Sequence, residues 1–294
     1  MSETTNPNLS GVPETLLIPL YVRAMESQRT DAMMKDDKAV ALVTQKSFDF
    51  TGVRQIPMNE ALNVMRIMQT REMDRYARDF LSRHPEGVVV HIGCGLDSRF
   101  ERVDNGRVEW YDLDLPEIIE LRRRFIGDEK ERYHLLGCSV LEDTWLEAVS
   151  VHRLGNHPVG ERPFLFLAEG VFAYFEEAQV KSLVLTLLNR FPGSEMVFDV
   201  FSPFGVWEFS LAVSRSKLSA RLHWGIWHIQ EIEGWGDPST SRRAGGIRLL
   251  DEWGFFDQPE PRLAPFRWMV PLYRLLKPVR ICHFQLEKKV EVTG

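Results

Sequence analysis

Residues 88 to 100, VVVHIGCGLDSRF, run three valines and an isoleucine into a tight turn and leave it through charged side chains. β-Branched residues at this density predict a buried strand. The glycines of Gly93-Cys94-Gly95 let the backbone bend sharply, or approach a ligand closely, where that strand ends. A dinucleotide turn would continue as GxGxxG, its third glycine letting the following helix pack close enough to receive a pyrophosphate. Ser98 stands at that place, directly after Asp97 and before Arg99.

Outward from this turn the chain alternates. GVVVHIG (87–93), RVEWYDLD (107–114), RYHLLGCSV (132–140), RPFLFLAEG (162–170) and SEMVFDVF (194–201) read as strands. LPEIIELRRRF (115–125), DTWLEAVS (143–150) and EEAQVKSLVLTLLNRF (176–191) read as the helices between them. This spacing predicts an α/β fold with a doubly wound, mostly parallel sheet. PETLLIPLYVRAM (13–25) and DKAVALVTQ (37–45) predict short N-terminal helices, and residues 59–84 a long amphipathic one stopped by Pro85. Residues 202–245, rich in Trp, Ser and Gly, break the alternation and predict a helical cap inserted near the C-terminal strands, the last being VRICHFQLEKKV (279–290). The expected organisation is an N-terminal helical lid and long helix (1–85), a cofactor-binding α/β core (86–201), the cap (202–245) and C-terminal strands completing the core (246–294), all within one structural domain.

Composition excludes several classes. Of 294 residues 44% are hydrophobic and 27% charged, and the net charge is −6 with no long basic block, so neither nucleic acid nor a membrane is expected as a partner. No apolar run approaches the roughly 18 residues of a membrane span. The opening MSETTNPNLS has neither the basic nor the apolar region of a signal peptide. Cys94, Cys138 and Cys282, odd in number and without a CxxC, read as reduced thiols, and a cytoplasmic location is expected. His223 and His228 in HWGIWH are five apart, on different faces of a helix, and no metal site is expected.

In a doubly wound sheet, ligands bind beyond the carboxyl ends of the strands, at the switch point beside the first one, where HIGCG lies. On the next strand, Asp112 and Asp114 follow Gly95 by 17 and 19 residues. A carboxylate there can accept hydrogen bonds from both hydroxyls of a ribose; a plain glycine turn with exposed aspartates accounts for the pattern as well. Asp97 would set a negative charge near a pyrophosphate. S-adenosylmethionine, with a sulfonium and an amino-acid tail and no phosphate, fits better than NAD.

HIGCGLDSRF, WYDLDLPEIIELRRRF, LFLAEGVFAYF and GVPETLLIPLYVRAMES together resemble the leucine carboxyl methyltransferase superfamily, in its tetracenomycin-type polyketide O-methyltransferase branch, from about residue 11 to the end. The pairing of GCGLDSR with YDLDLPE is specific, and the Asp97-to-Arg99 exit belongs to that signature. The resemblance implies a class I methyltransferase fold, S-adenosyl-L-methionine as cofactor and methyl transfer to a small-molecule acceptor. It implies that Gly93, Cys94 and Gly95 contact the methionine part, that Asp114 holds the ribose while Asp112 supports the turn, and that Ser139 and Val140 flank the adenine. Relatives often carry aspartate at the Ser139 position. Glu169, ending the fourth strand, would sit beside the sulfonium, and Arg23 would grip the cofactor's carboxylate.

One position departs. Where the family usually has arginine, MQTREMD has Gln69. Helical spacing sets it on the stripe of Leu62, Met65, Met73, Tyr76 and Phe80, and a polar residue on an apolar stripe needs a buried partner. An amide can hydrogen-bond a carboxylate but does not neutralise it; Arg66 or Arg71 would have to supply the missing charge.

Methyl transfer from a sulfonium is an in-line displacement helped by alignment and electrostatics. A carboxylate acceptor, ionised at neutral pH, needs no general base, whereas a phenol usually does. Tyr174 matches a tyrosine near the acceptor in relatives, with packing beside Phe172 and Phe175 as the other reading. His228 is the candidate base if the acceptor is a hydroxyl or thiol, and Trp207, Trp224, Trp227 and Trp235 suit a flat or apolar substrate or the cap's own small core. A carboxylate acceptor is expected. A nicotinamide oxidoreductase and a protein that binds the cofactor without transferring methyl are the rival classes.

Overall fold

The computed structural model describes residues 16–44, 60–151, 162–214, 221–236 and 246–287. The start of the expected first helix, residues 215–220 and 237–245 of the expected cap and the tail of the last strand lie outside the described residues. Helices α1 (Leu17–Ser27) and α2 (Asp37–Thr44) precede the long α3 (Glu60–Arg83). Pro19 falls in the first turn of α1, where a missing N–H costs nothing, so the helix runs through it. Pro85 follows α3 as expected.

The alternating part is β1 (Val88–Ile92), α4 (Arg99–Val103), β2 (Glu109–Asp114), α5 (Pro116–Phe125), β3 (Tyr133–Gly137), α6 (Thr144–Val151), β4 (Phe164–Ala168), α7 (Glu177–Arg190) and β5 (Glu195–Phe201). After α8 (Pro203–Ser214) come β6 (Ile247–Trp253), α9 (Val270–Leu276) and β7 (Val279–Leu286). The strands form one seven-stranded sheet in the order β3-β2-β1-β4-β5-β7-β6. β1 to β5 are parallel, as βαβ crossovers require; β7 enters antiparallel between β5 and β6.

Successive side chains on a strand face opposite sides, so the valines of β1 divide between two cores. Val88 and Val90 join Phe164, Phe166, Trp145 and Leu187 on one face. Val89 joins Leu165, Val197 and the Met68, Met73 and Phe80 face of α3 on the other. A third cluster fastens α1 and α2 to α3 and to Leu96, just past the glycine turn. The inserted stretch divides too. Trp224 and Trp235 are buried in the first core, 5.8 Å apart, whereas Trp207 and Trp227 are exposed. On α3 the expected stripe holds at Met65, Met73, Tyr76 and Phe80, but Leu62 is exposed, and the first turn is buried through Ala61 and Val64 instead.

Candidate active site

The turn after β1 is built from below. Gly93 and Gly95 have φ of +63° and +49°, the left-handed region. A Cβ on Gly93 would run into Val171, so only glycine fits beneath the segment that follows β4. The N–H groups of Gly93 and Cys94 both donate to Leu113 O at the end of β2, at 2.8 and 3.2 Å. Cys94 is buried, which pushes its thiol well up and keeps it protonated. Arg122, buried on α5, donates to the carbonyls of Cys94, Gly95 and Asp97 at 3.3, 2.7 and 2.8 Å. Asp112 pairs with Arg122 and takes further bonds from Trp110 (2.9 Å) and Tyr133 (2.6 Å). It supports the turn through Arg122; burial opposes its charge, but the Arg122 guanidinium, with His91 and Tyr133, holds its carboxyl below the usual range.

Asp114 has the other role. It is half-buried at the end of β2, and its Oδ2 accepts from the Gly95 N–H at 2.7 Å. Burial pushes its carboxyl up despite the Gly95 and Leu115 N–H groups. Ser139 and Val140 follow β3 on the same side, where Cys138 N–H returns to Asp114 O (3.0 Å) and Leu141 N–H to Ser139 Oγ (3.2 Å).

The charged exit is interior. Asp97, 8% exposed, pairs with Arg102 at 2.8 Å, Arg99 at 3.1 Å and Arg23 at 3.8 Å. Burial opposes its charge, but these arginines hold its carboxyl well below the usual range. Asp97, neutralised by these arginines, therefore does not set the net negative charge near a pyrophosphate that its position in the sequence suggested. Ser98 retains its weight: its hydroxyl donates to Asp36 at 2.7 Å, so a contact with the N-terminal segment fills the place of a third glycine. Arg23 is 4% exposed, donating to Asp36 from Nε and to Leu96 O from Nη2, both at 2.9 Å, and these contacts fasten α1 to the turn.

At the end of β4, Glu169 pairs with the buried Arg99 and accepts from Thr70 Oγ1 at 2.9 Å. Arg99 is held in turn by Asp74 at 2.8 Å. Beside it lies a carboxylate that sequence reasoning missed. Asp199, near the end of β5, accepts from the Gly170 N–H at 2.7 Å and from Gln69 Nε2 at 3.2 Å. Gln69 thus has the buried partner its position demanded. Burial pushes the Asp199 carboxyl up to about 7 against the Gly170 N–H, and neighbouring Glu169 adds to the rise. An acid set between Phe198 and Val200, in the apolar run that follows Glu195, was the available signal. Arg66 is exposed and bonded to Asn63, and among the described residues neither it nor Arg71 pairs with Asp199.

Tyr174 is half-buried in a short 3₁₀ turn, Phe172–Tyr174, that directly follows Glu169 and Gly170, so it shares their end of the sheet. The cap segment is tied to that turn by His223 N–H and Trp224 N–H on Ala173 O, at 2.7 and 3.2 Å. His223 is exposed and pairs with Glu176 at 3.1 Å; His228 is exposed. Among the described residues no group of three or more His, Cys, Asp or Glu is arranged to hold a metal ion. No helix among them is long and apolar enough to cross a membrane.

A sheet in this order, with a glycine turn after β1 and an acid closing β2, is a class I methyltransferase fold, whose cofactor is S-adenosylmethionine. The crystal structure of a provisionally assigned methyltransferase from Thermobifida fusca shares it, with a TM-score of 0.54 over 92% of this chain and 94% of that one at 16% identity. The leucine carboxyl methyltransferase family model matches residues 17–187, and this chain belongs to that family as an S-adenosylmethionine-dependent methyltransferase. It is similar to the tetracenomycin polyketide synthesis O-methyltransferase of Streptomyces glaucescens, 33% identical over 263 residues and 88% of each chain. It is also similar to an S-adenosyl-L-methionine-dependent methyltransferase of Gibberella zeae, 28% identical over 207 residues, 65% of this chain and 66% of that one. These matches set aside the nicotinamide oxidoreductase.

Proposed function

We propose that this methyltransferase acts on an oxygen nucleophile of a small molecule, a carboxylate in the first instance. The observation that carries the acceptor class is the exposure of both cap histidines, His223 and His228. Asp199 is 2% exposed and bonded to Gln69, so in this reading it is shielded from the acceptor. An acceptor already ionised at neutral pH needs no base from either source. The tetracenomycin relative, an O-methyltransferase by name, supports oxygen as the nucleophile.

When bound, the cofactor supplies a methyl group carried on a sulfonium sulfur. In this reading the Gly93–Gly95 backbone lies against the methionine part, with Cys94 turned into the core. Asp114 accepts from the ribose hydroxyls with the lone pairs left by Gly95 and Leu115. Ser139 and Val140 flank the adenine. Glu169, fixed by Arg99 and Thr70, presents a negative charge to the sulfonium without having to reorganise. Gln69 meets the cofactor's carboxylate, with Arg23 held against the turn by Asp36 and Leu96 O. Tyr174 orients the acceptor oxygen in line with the methyl group.

The test is a titration with S-adenosylmethionine and with NAD, followed by a methyl-transfer screen over carboxylic acids, phenols and thiols. Turnover confined to acids supports the proposal. Turnover confined to phenols or thiols, abolished in His228→Ala, would favour the base-assisted reading. Binding without transfer to any acceptor would favour a non-catalytic role.

A further inference from the structure

Gln69, a polar residue on the apolar stripe of α3, stands against the buried Asp199. Asp199 has no cation partner among the described residues; its oxygens accept from the Gly170 N–H, the Gln69 amide and its own backbone N–H. Arg99, the nearby buried cation, is engaged by Glu169, Asp74 and Asp97. The titratable groups that meet Asp199 are Glu169 from the end of β4 and the buried Cys282 thiol from β7, while α3 offers only the neutral Gln69.

An arginine at this position would lie between two carboxylates, Asp199 behind it and the cofactor's amino-acid tail in front. Glutamine leaves those carboxylates facing each other across one neutral amide, in surroundings where water screens them poorly. A proton from solvent is the available substitute for the missing cation. Resting on the cofactor reading above, we infer that binding of the amino-acid end of S-adenosylmethionine is coupled to uptake of one proton by Asp199, relayed through Gln69. With Asp199 ionised, the Gln69 amide donates inward. With it protonated, the Asp199 hydroxyl donates to Gln69 Oε1, and the amide N–H groups turn outward to the cofactor carboxylate. The elevated Asp199 carboxyl, near 7, makes that proton accessible at neutral pH. The cofactor's ammonium and sulfonium act in the opposite sense, but Glu169, half-buried where Asp199 is buried, is the carboxylate that faces them.

Calorimetric titration of S-adenosylmethionine into the full chain, in buffers of different protonation enthalpy, counts the protons. Uptake should rise towards one per site between pH 7 and 8.5, with affinity falling up to about tenfold per pH unit. The ligand's own amine titrates near the same range, and Asp199→Asn separates the two by removing only the protein's proton. Gln69→Arg gives the same readout if Asp199→Asn does not fold: no proton at Asp199, with tight binding kept at pH 8.5. Wild-type binding without proton uptake, or uptake unchanged in the variants, overturns the inference while leaving the cofactor reading intact. Failure of S-adenosylmethionine to bind at any pH overturns both.

Discussion

Arg122 and Asp112 form a buried ion pair whose guanidinium also binds three carbonyls of the glycine turn, so one side chain of α5 fixes the shape of a loop on another element. Breaking such a pair from one side strands a buried charge. Arg122→Met should destabilise the fold by on the order of 3–5 kcal/mol, read by urea or thermal unfolding, and should weaken cofactor binding in whatever folded protein remains. A stable variant with unchanged affinity would show that the turn holds its shape without the brace.

Asp114 is the carboxylate proposed for the ribose. Asp114→Ala leaves sugar hydroxyls and the Gly95 N–H without their acceptor, which should reduce S-adenosylmethionine affinity by about 1–3 kcal/mol. Equal affinity in a folded variant removes Asp114 from the site.

Gln69→Arg restores a cation whose counter-ion, Asp199, is already in place 3.2 Å from the present amide. Charge-assisted bonds exceed neutral ones by roughly 1 kcal/mol, so cofactor affinity at pH 8 should rise by up to about tenfold. Weaker binding in a folded variant would mean that the glutamine serves this site better than the family's arginine does.

Asp199 also has a signature in stability. Its folded-state value of about 7 lies above the roughly 3.9 of an unfolded aspartate, so the folded chain binds the extra proton between those values. Stability therefore falls as pH rises through that window and levels off above 7. Asparagine does not titrate. Asp199→Asn should gain thermal stability relative to wild type from pH 4 to pH 7, by at most on the order of 2–4 kcal/mol. A difference that stays flat with pH would assign Asp199 an ordinary carboxylate.

The acceptor proposal separates its candidates by turnover. General bases typically contribute about 10²–10⁴ in rate, so His223→Ala and His228→Ala should each cost well under tenfold between pH 6 and 9. Tyr174→Phe should cost more, through lost alignment of the acceptor oxygen. A hundredfold loss in His228→Ala, with a wild-type rate rising through a pKa near 7, would identify a hydroxyl or thiol acceptor.

Local sequence carried a large share of this protein. β-Branched runs, the glycine turn and helical periodicity are consequences of near-neighbour sterics, so β1 to β5, the helices that follow β2, β3 and β4, and the positions of Asp114 and Glu169 at strand ends were legible before any folding. The five-residue α4 was too short to show a period. The spacing of Gln69 on α3 even predicted a buried partner, without naming it. What the chain does with its charges was not legible, because ion pairs join residues that only packing brings together. Arg23 meets Asp36 and Leu96, Asp97 meets three arginines, and Asp199 meets Gln69 across 130 positions of sequence. The insert divided in the same way: Trp224 and Trp235 enter the main core while His228 stays at the surface, since burial is decided by the face an element turns to its neighbours and not by its composition. Sequence determined where the carboxyl ends of the strands would be; tertiary structure decided which acids there are neutralised, and Asp199 is one that is not.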